Sequence, residues 1–303
     1  MKNIIFGPIN SRRFGISLGI DLSPNKKQCN FDCLYCELDA NKVVGSFDEV
    51  LDVDEIIEAL QKRLSDNIDF ITITANGEPT LYPYLDTLID KIDKIKGNTK
   101  TLILSNASKI NDINVANALS KIDVVKLSLD CIDSRCLKKL DRAEKSINIE
   151  DIKQGMLNFA KIYKKDLIIE ILFVKTINDR DIDKYSKFLL ELNPKRIDIG
   201  TIDRPPAYDV KPLSYEELLE ISHKFDTNLP IYISSRKNIS SKPTSYSNDE
   251  ILATLAKRPL SDDDIEILFD NDSQKRLKTL LKAKKIEKIE LNQIFFYKLT
   301  KKT

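Results

Sequence analysis

The chain has 303 residues, of which 42 % are hydrophobic, and a formal net charge of +1. That length accommodates one large α/β domain of about 200–250 residues plus a small appendage, and the apolar content supports a sizeable core. The near-neutral charge provides no global basic field toward nucleic acid and no acidic excess against it. The opening residues lack an apolar stretch followed by a small-residue cleavage site, and no run of about 18 apolar residues occurs anywhere. A cytoplasmic setting without membrane contact is therefore expected, and thiols stay reduced there. Five cysteines are present, an odd number, with three of them crowded into residues 29–36. They read as a metal site plus two others, not as a disulfide framework.

From about residue 50 to 235, apolar strand-like runs alternate with helical patterns. Asp52 and Glu55 form a capping-box start, after which Val53, Ile56, Ile57, Leu60 and Leu64 share one helix face. Strands are predicted at 68–74, 101–105, 124–129, 167–174, 196–200 and 231–233, rich in β-branched residues. Helices are predicted at 84–95, 110–121, 148–164, 179–192 and 214–226. Alternation of such apolar strands with helices predicts a parallel sheet covered by helices. About six repeats suit a partial (β/α)6 or full barrel, with its chemistry at the C-terminal ends of the strands. Residues 1–235 form this domain. The Ser-rich stretch at 236–247 reads as a linker. Helices at 248–257, 261–269 and 273–285 then precede β runs at 286–291 and 294–299, a winged-helix pattern over 248–303. From 273 to 303 the tail carries ten Lys/Arg against Glu287 and Glu290.

Cys29, Cys33 and Cys36 are spaced three and then two residues apart. A short loop with this spacing can turn three thiolates toward one centre, and thiolates favour zinc or iron–sulfur. A structural zinc site closes with four ligands, as does an ordinary ferredoxin cluster. Three leave one position open. The competing arrangement is structural zinc with a distant fourth ligand, for which His223, Cys131 and Cys136 are the candidates.

Cys29-x3-Cys33-x2-Cys36, with Tyr35 before the last cysteine, resembles the signature of the radical SAM superfamily. The resemblance implies a [4Fe-4S] cluster on the three cysteines, with S-adenosylmethionine chelating the fourth iron. It also implies reductive cleavage to a 5′-deoxyadenosyl radical and an electron donor of the flavodoxin or ferredoxin type. Asn76-Gly77-Glu78-Pro79 resembles the family's Gly-Gly-Glu-Pro loop for the methionine amino group, with Asn76 in place of the first glycine. Ser105 and Asn106, then Ser128 and Asp130, resemble its polar strand ends that meet the ribose and carboxylate. Asn178 is a weaker member of the same set.

Residues 7–21 and the stretch Gly200–Ala207 resemble a subgroup of iron–sulfur oxidoreductases distantly similar to the radical enzymes that build the wyosine base of tRNA. Arg12, Arg13 and Arg204 could grip phosphate or carboxylate near the barrel mouth, or form structural salt bridges. Lys175 is a candidate substrate-contacting or Schiff-base lysine. Cys131 and Cys136 are either hydrogen donors, ligands of a second cluster, or buried idle thiols. His223 reads as a helix-surface residue. The basic tail helix, with Lys275, Arg276, Lys278, Lys282, Lys284 and Lys285, suits phosphate-backbone binding; equally, those lysines form the solvated side of a helix whose core face is Leu277, Leu280 and Leu281. The expected substrate is macromolecular, with tRNA first. The alternatives are a protein or peptide substrate, or a non-catalytic cluster-bearing regulator that binds nucleic acid.

Overall fold

The computed structural model describes residues 4–11, 14–65, 67–233, 243, 245–257, 259–291 and 294–300. The chain opens with an antiparallel hairpin, β1 (Ile5–Ser11) and β2 (Gly15–Asp21). Helices and strands then alternate: α1 (Val53–Gln61), β3 (Phe70–Thr74), α2 (Leu85–Ile95), β4 (Lys100–Ser105), α3 (Ile113–Ser120) and β5 (Val124–Ser128). A single turn, α4 (Ser134–Cys136), runs into a π turn over Leu137–Asp141. There follow α5 (Ile149–Ile162), β6 (Asp166–Phe173), α6 (Ile182–Leu192), β7 (Arg196–Thr201), α7 (Tyr215–Ser222) and β8 (Ile231–Ile233). The eight strands form one sheet in sequence order, with every neighbour after the first pair parallel. β1 and β8 are its two edges.

Six of these strands lie where the apolar runs predict them. The hairpin is additional. Gly7, Pro8 and Gly15 interrupt its alternation, so it reads as a loop motif in sequence. It extends the expected sheet by one parallel strand, β2, and one antiparallel edge. The helix ends come from local chemistry. Asp52, Asp112 and Asn148 accept the first free amides of α1, α3 and α5, and Ser214 forms a reciprocal capping box with Glu217 on α7. The expected box at Asp52 is one-sided, since only the Asp52 side chain caps.

The period of two decides which face is core. Ile71, Ile73, Ile103, Val125, Leu127, Ile169, Ile171, Ile197 and Ile199 are all fully buried beneath the helices. The opposite face has a different composition. Its lower part is a small apolar cluster of Leu102, Val124 and Ile168 with Phe14 and Phe70. Above it lies an ionic layer, in which Lys126 Nζ is 2.6 Å from Glu170 and 3.2 Å from Asp198, and Arg196 Nε is 2.8 Å from Asp198.

The tail comprises α8 (Asn248–Lys257), β9 (Leu260–Ser261), α9 (Asp262–Leu268), α10 (Asn271–Lys282), β10 (Ile286–Leu291) and β11 (Ile294–Leu299), with sheet order β10-β11-β9. It has its own core of Ile251, Leu255, Leu260, Leu268, Phe269, Leu277, Leu280 and Ile286. Tyr246, within the stretch expected as linker, is buried in that core, and its hydroxyl donates to the Pro8 carbonyl at 2.9 Å. The tail thus leans on the N-terminal hairpin. Most of the expected linker, and Arg12 and Arg13, lie outside the described residues.

Candidate functional site

Every parallel strand delivers its chain to the same end of the sheet, and the residues singled out by the motifs collect there. The cysteine loop follows β2 directly. Its first part is tied to the loop after β3 as an extra strand pairing. Gln28 donates its amide to the Asn76 carbonyl at 2.8 Å, and its own carbonyl accepts from the Glu78 amide at 3.0 Å. Gly77 lies between those bonds at φ +138°, a conformation that L side chains rarely adopt, and a Cβ there would overlap the Gln28 carbonyl oxygen. The glycine therefore allows the cysteine loop its close approach. Asn76, in place of a glycine, donates its amide to Asp21 at 2.9 Å.

Glu78 is 1 % exposed. Its Oε1 accepts from the Thr80 amide at 3.0 Å, the Thr80 hydroxyl at 2.6 Å and the Ser105 hydroxyl at 2.7 Å; its Oε2 accepts from the Asn106 amide at 2.7 Å. Burial pushes its pKa up, with those donors opposing the shift. Glu78 thus joins the β3 loop to the end of β4, and Pro79 begins the buried 3-10 turn it caps. Asn106 in turn donates to the Asn30 side chain at 2.9 Å and toward the Cys29 sulfur at 3.8 Å.

Asp130 braces the other side of the loop. One oxygen accepts from the Tyr35 hydroxyl, the other from the Leu172 amide at 2.6 Å. Its backbone carbonyl takes the Tyr185 hydroxyl at 2.7 Å and the Asn178 amide nitrogen at 2.8 Å. Tyr35, Glu78, Ser105, Asn106, Asp130 and Asn178 are therefore all present at the site, engaged with protein partners that hold the cysteine loop. Among the described residues, the side chains of Asn76 and Ser128 make no such bond.

The three sulfurs are free thiols. Burial pushes the Cys29 thiol up to about 12 and raises Cys33 and Cys36 as well. Donors approach two of them nonetheless. The Phe31 amide lies 3.4 Å from the Cys29 sulfur, and the largely buried Lys27 ammonium lies 3.5 Å from that of Cys36. Half-buried thiols, with donors facing Cys29 and Cys36, suit ligands that become anionic on binding metal. Among the described residues, no group of three His, Cys, Asp or Glu side chains is gathered to hold a single ion. A [4Fe-4S] cluster spreads its cysteines over different irons, and three free thiols on one loop fit that group.

Other sequence candidates resolve differently. Cys131 and Cys136 form a disulfide, so neither is a free thiol or a fourth ligand, contrary to the expectation of reduced cysteines throughout. His223 is the exposed C-cap of α7. Arg204 is buried among carboxylates, 3.2 Å from Glu37, 3.8 Å from Asp203 and 3.6 Å from Asp264. It joins the cysteine loop to the tail and is occupied as a structural salt bridge. Lys175 pairs with Glu217 at 2.6 Å. Sequence reasoning missed Asp21, Lys27, Gln28, Asn30, Asp32 and Tyr208. Asp32 is 2.5 Å from the Tyr208 hydroxyl and 3.4 Å from Arg142. Such residues have no characteristic spacing, although Asn30 and Asp32 lie inside the cysteine motif itself. A cavity of about 1140 Å³ opens at the other end of the strands, lined by Phe14, Asp69, Lys100 and Arg196 among others.

The profile of the Radical SAM superfamily matches residues 27–189. The chain belongs to the radical SAM superfamily. It is 42 % identical over 97 % of its length to a UPF0026 protein of Helicobacter pylori, 97 % of which is covered. It is 32 % identical to a UPF0026 protein of Methanocaldococcus jannaschii, over 72 % of this chain and 70 % of that one. Its fold is similar to the crystal structure of a radical SAM methyltransferase from Sphaerobacter thermophilus, with TM-score 0.57 and 12 % identity over 72 % of this chain and 65 % of the other. As a radical SAM enzyme it uses a [4Fe-4S] cluster and S-adenosylmethionine and needs a reductant. No helix among the described residues is long and apolar enough to cross a membrane.

Proposed function

We propose that this radical SAM enzyme holds its cluster on Cys29, Cys33 and Cys36 and modifies a macromolecular substrate, with tRNA as the first candidate. The observation that carries the cluster assignment is three free thiols on one loop, braced from β3, β4 and β5 together. When bound, the cluster and S-adenosylmethionine supply a 5′-deoxyadenosyl radical that takes a hydrogen atom from the substrate. The chain's own part is placement. Gly77 lets the cysteine loop close on the β3 loop. Glu78 and Asp130 fix the loop from two sides. Asn76 and Ser128 keep polar side chains for the cosubstrate, at the open ends of the strands. The layer of Lys126, Glu170 and Asp198 closes the partial barrel beneath this mouth with ions instead of an apolar core.

The tRNA assignment draws on the tail. Its helix–strand–helix–helix–strand–strand order suits a winged helix over 248–303, separate from the barrel domain at 1–235 and joined through 236–247. Several of its cations have internal partners. Lys275 pairs with Asp272, Arg276 donates to the Tyr246 carbonyl, Lys288 pairs with Asp262, and Lys298 pairs with Glu287. Lys278, Lys282, Lys284 and Lys285 are exposed and unpaired among the described residues. Lys288 also lies 4.5 Å from the ring centre of Phe295, which is 43 % exposed. A cation beside an exposed aromatic on the hairpin matches the way nucleic-acid modules combine charge with stacking. The setting that goes with this chemistry is cytoplasmic, where the three cysteines stay reduced.

The test is 5′-deoxyadenosine formation by anaerobically reconstituted protein, given reductant and S-adenosylmethionine, with and without bulk tRNA. Turnover that rises with tRNA, and loses that rise in a Lys278→Glu, Lys282→Glu, Lys285→Glu variant, supports the reading. Turnover indifferent to tRNA removes it and turns attention to peptide substrates.

A further inference from the structure

The segment between β5 and α5 has two unlike sides. Its inner side is bonded to the cysteine loop by main chain as well as by the Asp130 and Arg142 side chains. The Leu140 carbonyl accepts from the Leu34 amide at 2.9 Å, the Asp141 carbonyl accepts from the Asp32 amide at 3.0 Å, and the Glu144 amide donates to the Asn30 carbonyl at 2.9 Å. The first two of these bonds bracket Cys33. The segment's outer side carries Arg135, Lys138, Lys139 and Lys145, all exposed. None of the four has an ion pair among the described residues.

The acids of the same stretch do not neutralise that outer side. The Asp133 carboxylate caps the turn by accepting from the Cys136 amide at 2.9 Å. Asp141 is buried. Glu144 is half-buried and turns toward Gly45, where an added Cβ would lie 3.2 Å from its carboxylate. Cations are thus presented outward and acids are turned inward, on a segment that backs the middle cysteine. The Cys131–Cys136 bond closes the base of this segment and fixes the turn on which the cations stand.

We propose that Arg135, Lys138, Lys139 and Lys145 form the docking surface for an acidic one-electron carrier protein. The inference rests on the assignment of the cluster to the three cysteines. A carrier seated here is separated from Cys33 by one layer of main chain, and it hands over one electron as its own centre is oxidised by one. Unpaired like charges on a docking surface raise the encounter rate with an oppositely charged partner, and salt screens the effect. Residues 133–148 contain no aromatic side chain of their own, and the Tyr208 ring beside them is taken up by the Arg142 guanidinium at 4.7 Å, so the segment itself offers none of the stacking groups with which single-stranded RNA is gripped. The tail has such a group in Phe295.

The test compares the full chain with an Arg135→Glu, Lys138→Glu, Lys139→Glu, Lys145→Glu variant, and with a control reversed at Lys278 and Lys282 in the tail. One arm titrates each protein with oxidised flavodoxin and needs no cluster. The other follows reduction of the reconstituted protein by reduced flavodoxin and, separately, by dithionite. Reversal at 135–145 is expected to weaken flavodoxin binding and slow flavodoxin-driven reduction by about tenfold or more. Iron content, the dithionite rate and the tail control should be unchanged, and the unaltered protein should lose its advantage as salt rises. Unchanged flavodoxin binding in the variant overturns the proposal. So does loss of tRNA binding with flavodoxin binding intact, which would make the surface a nucleic-acid contact. A wrong cluster assignment shows itself separately, as missing iron in the unaltered protein.

Discussion

Asp123 and Asp130 stand just before and just beyond β5, and their carboxylates are in opposite electrostatic states. Burial alone would raise Asp123, yet the Lys96 ammonium at 2.9 Å and the Thr101 amide and hydroxyl pull it down to about 2. Burial pushes Asp130 up to about 7, and its donors, the Tyr35 hydroxyl and the Leu172 amide, are neutral. Asp141 nearby is raised as well, by burial and by Asp130 itself. At the N-terminal end of the strand the acid is half open to solvent and satisfied by a cation. At the C-terminal end acids are stripped of water with no cation in hydrogen-bond contact. The first arrangement stabilises a sheet; the second holds a loop in place at a cost to stability, as functional ends of parallel sheets do.

That contrast can be broken by substitution. The largest effect is expected at Gly77→Ala, where the backbone conformation and the overlap with Gln28 act together. A loss of about 3 kcal/mol or more is expected, read by thermal unfolding, together with poor iron retention on reconstitution. Glu78→Gln comes next. In either orientation its amide group faces a donor, the Asn106 or the Thr80 amide, at an expected cost of about 1–3 kcal/mol. Should Glu78→Gln leave stability and iron content untouched, the bracing role assigned to the β3 loop is wrong.

The pH dependence separates the two ends by sign. Asp130 is raised in the fold, so between about pH 4 and 7 the folded chain binds the extra proton and this group's contribution falls as pH rises. In the protein before reconstitution, Asp130→Asn should flatten that decline in denaturant melts. Asp123 is depressed, so its contribution is present above about pH 4 and is lost as pH falls toward 2. Asp123→Asn should remove the acid loss by taking away the stability that Asp123 supplies above about pH 4, leaving the slope of the neutral region unchanged. Identical pH profiles for the two variants would end the distinction between the strand ends.

The sheet was legible wherever burial is one-sided and periodic. β3 to β8 and the helices between them follow from apolar runs and amphipathic stripes, to within a few residues at their ends. The β1–β2 hairpin was not legible, because Pro8 and the glycines around it disrupt the alternation that identifies a strand. Charged residues inside strands carried a signal that periodicity alone does not use. Lys126, Glu170 and Asp198 each sit mid-strand on the face away from the helices, which marks that face as no ordinary core. At the site, the cysteines stand out in the sequence because their spacing on one short loop is the kind that a shared metal centre requires. The residues that hold them were legible only in part. Glu78, Ser105, Asn106 and Asp130 were located at the site through a motif for cosubstrate binding, yet their side chains are spent on each other and on the cysteine loop. Gln28 and Asn30 were invisible, since a buried amide that links loops far apart in sequence leaves no local pattern. The Cys131–Cys136 bond was hidden by an odd cysteine count that mixes two roles.

The measurement closest to the central claim is the iron and sulfide content of the anaerobically reconstituted chain, with its electron paramagnetic resonance spectrum after reduction, before and after S-adenosylmethionine is added. About four irons and four sulfides per chain are expected from a [4Fe-4S] assignment. The spectrum should change when S-adenosylmethionine is added, and both properties should vanish in a Cys29→Ala, Cys33→Ala, Cys36→Ala variant. A cluster retained by that variant, or stoichiometric zinc in place of iron, would contradict the assignment of these three cysteines.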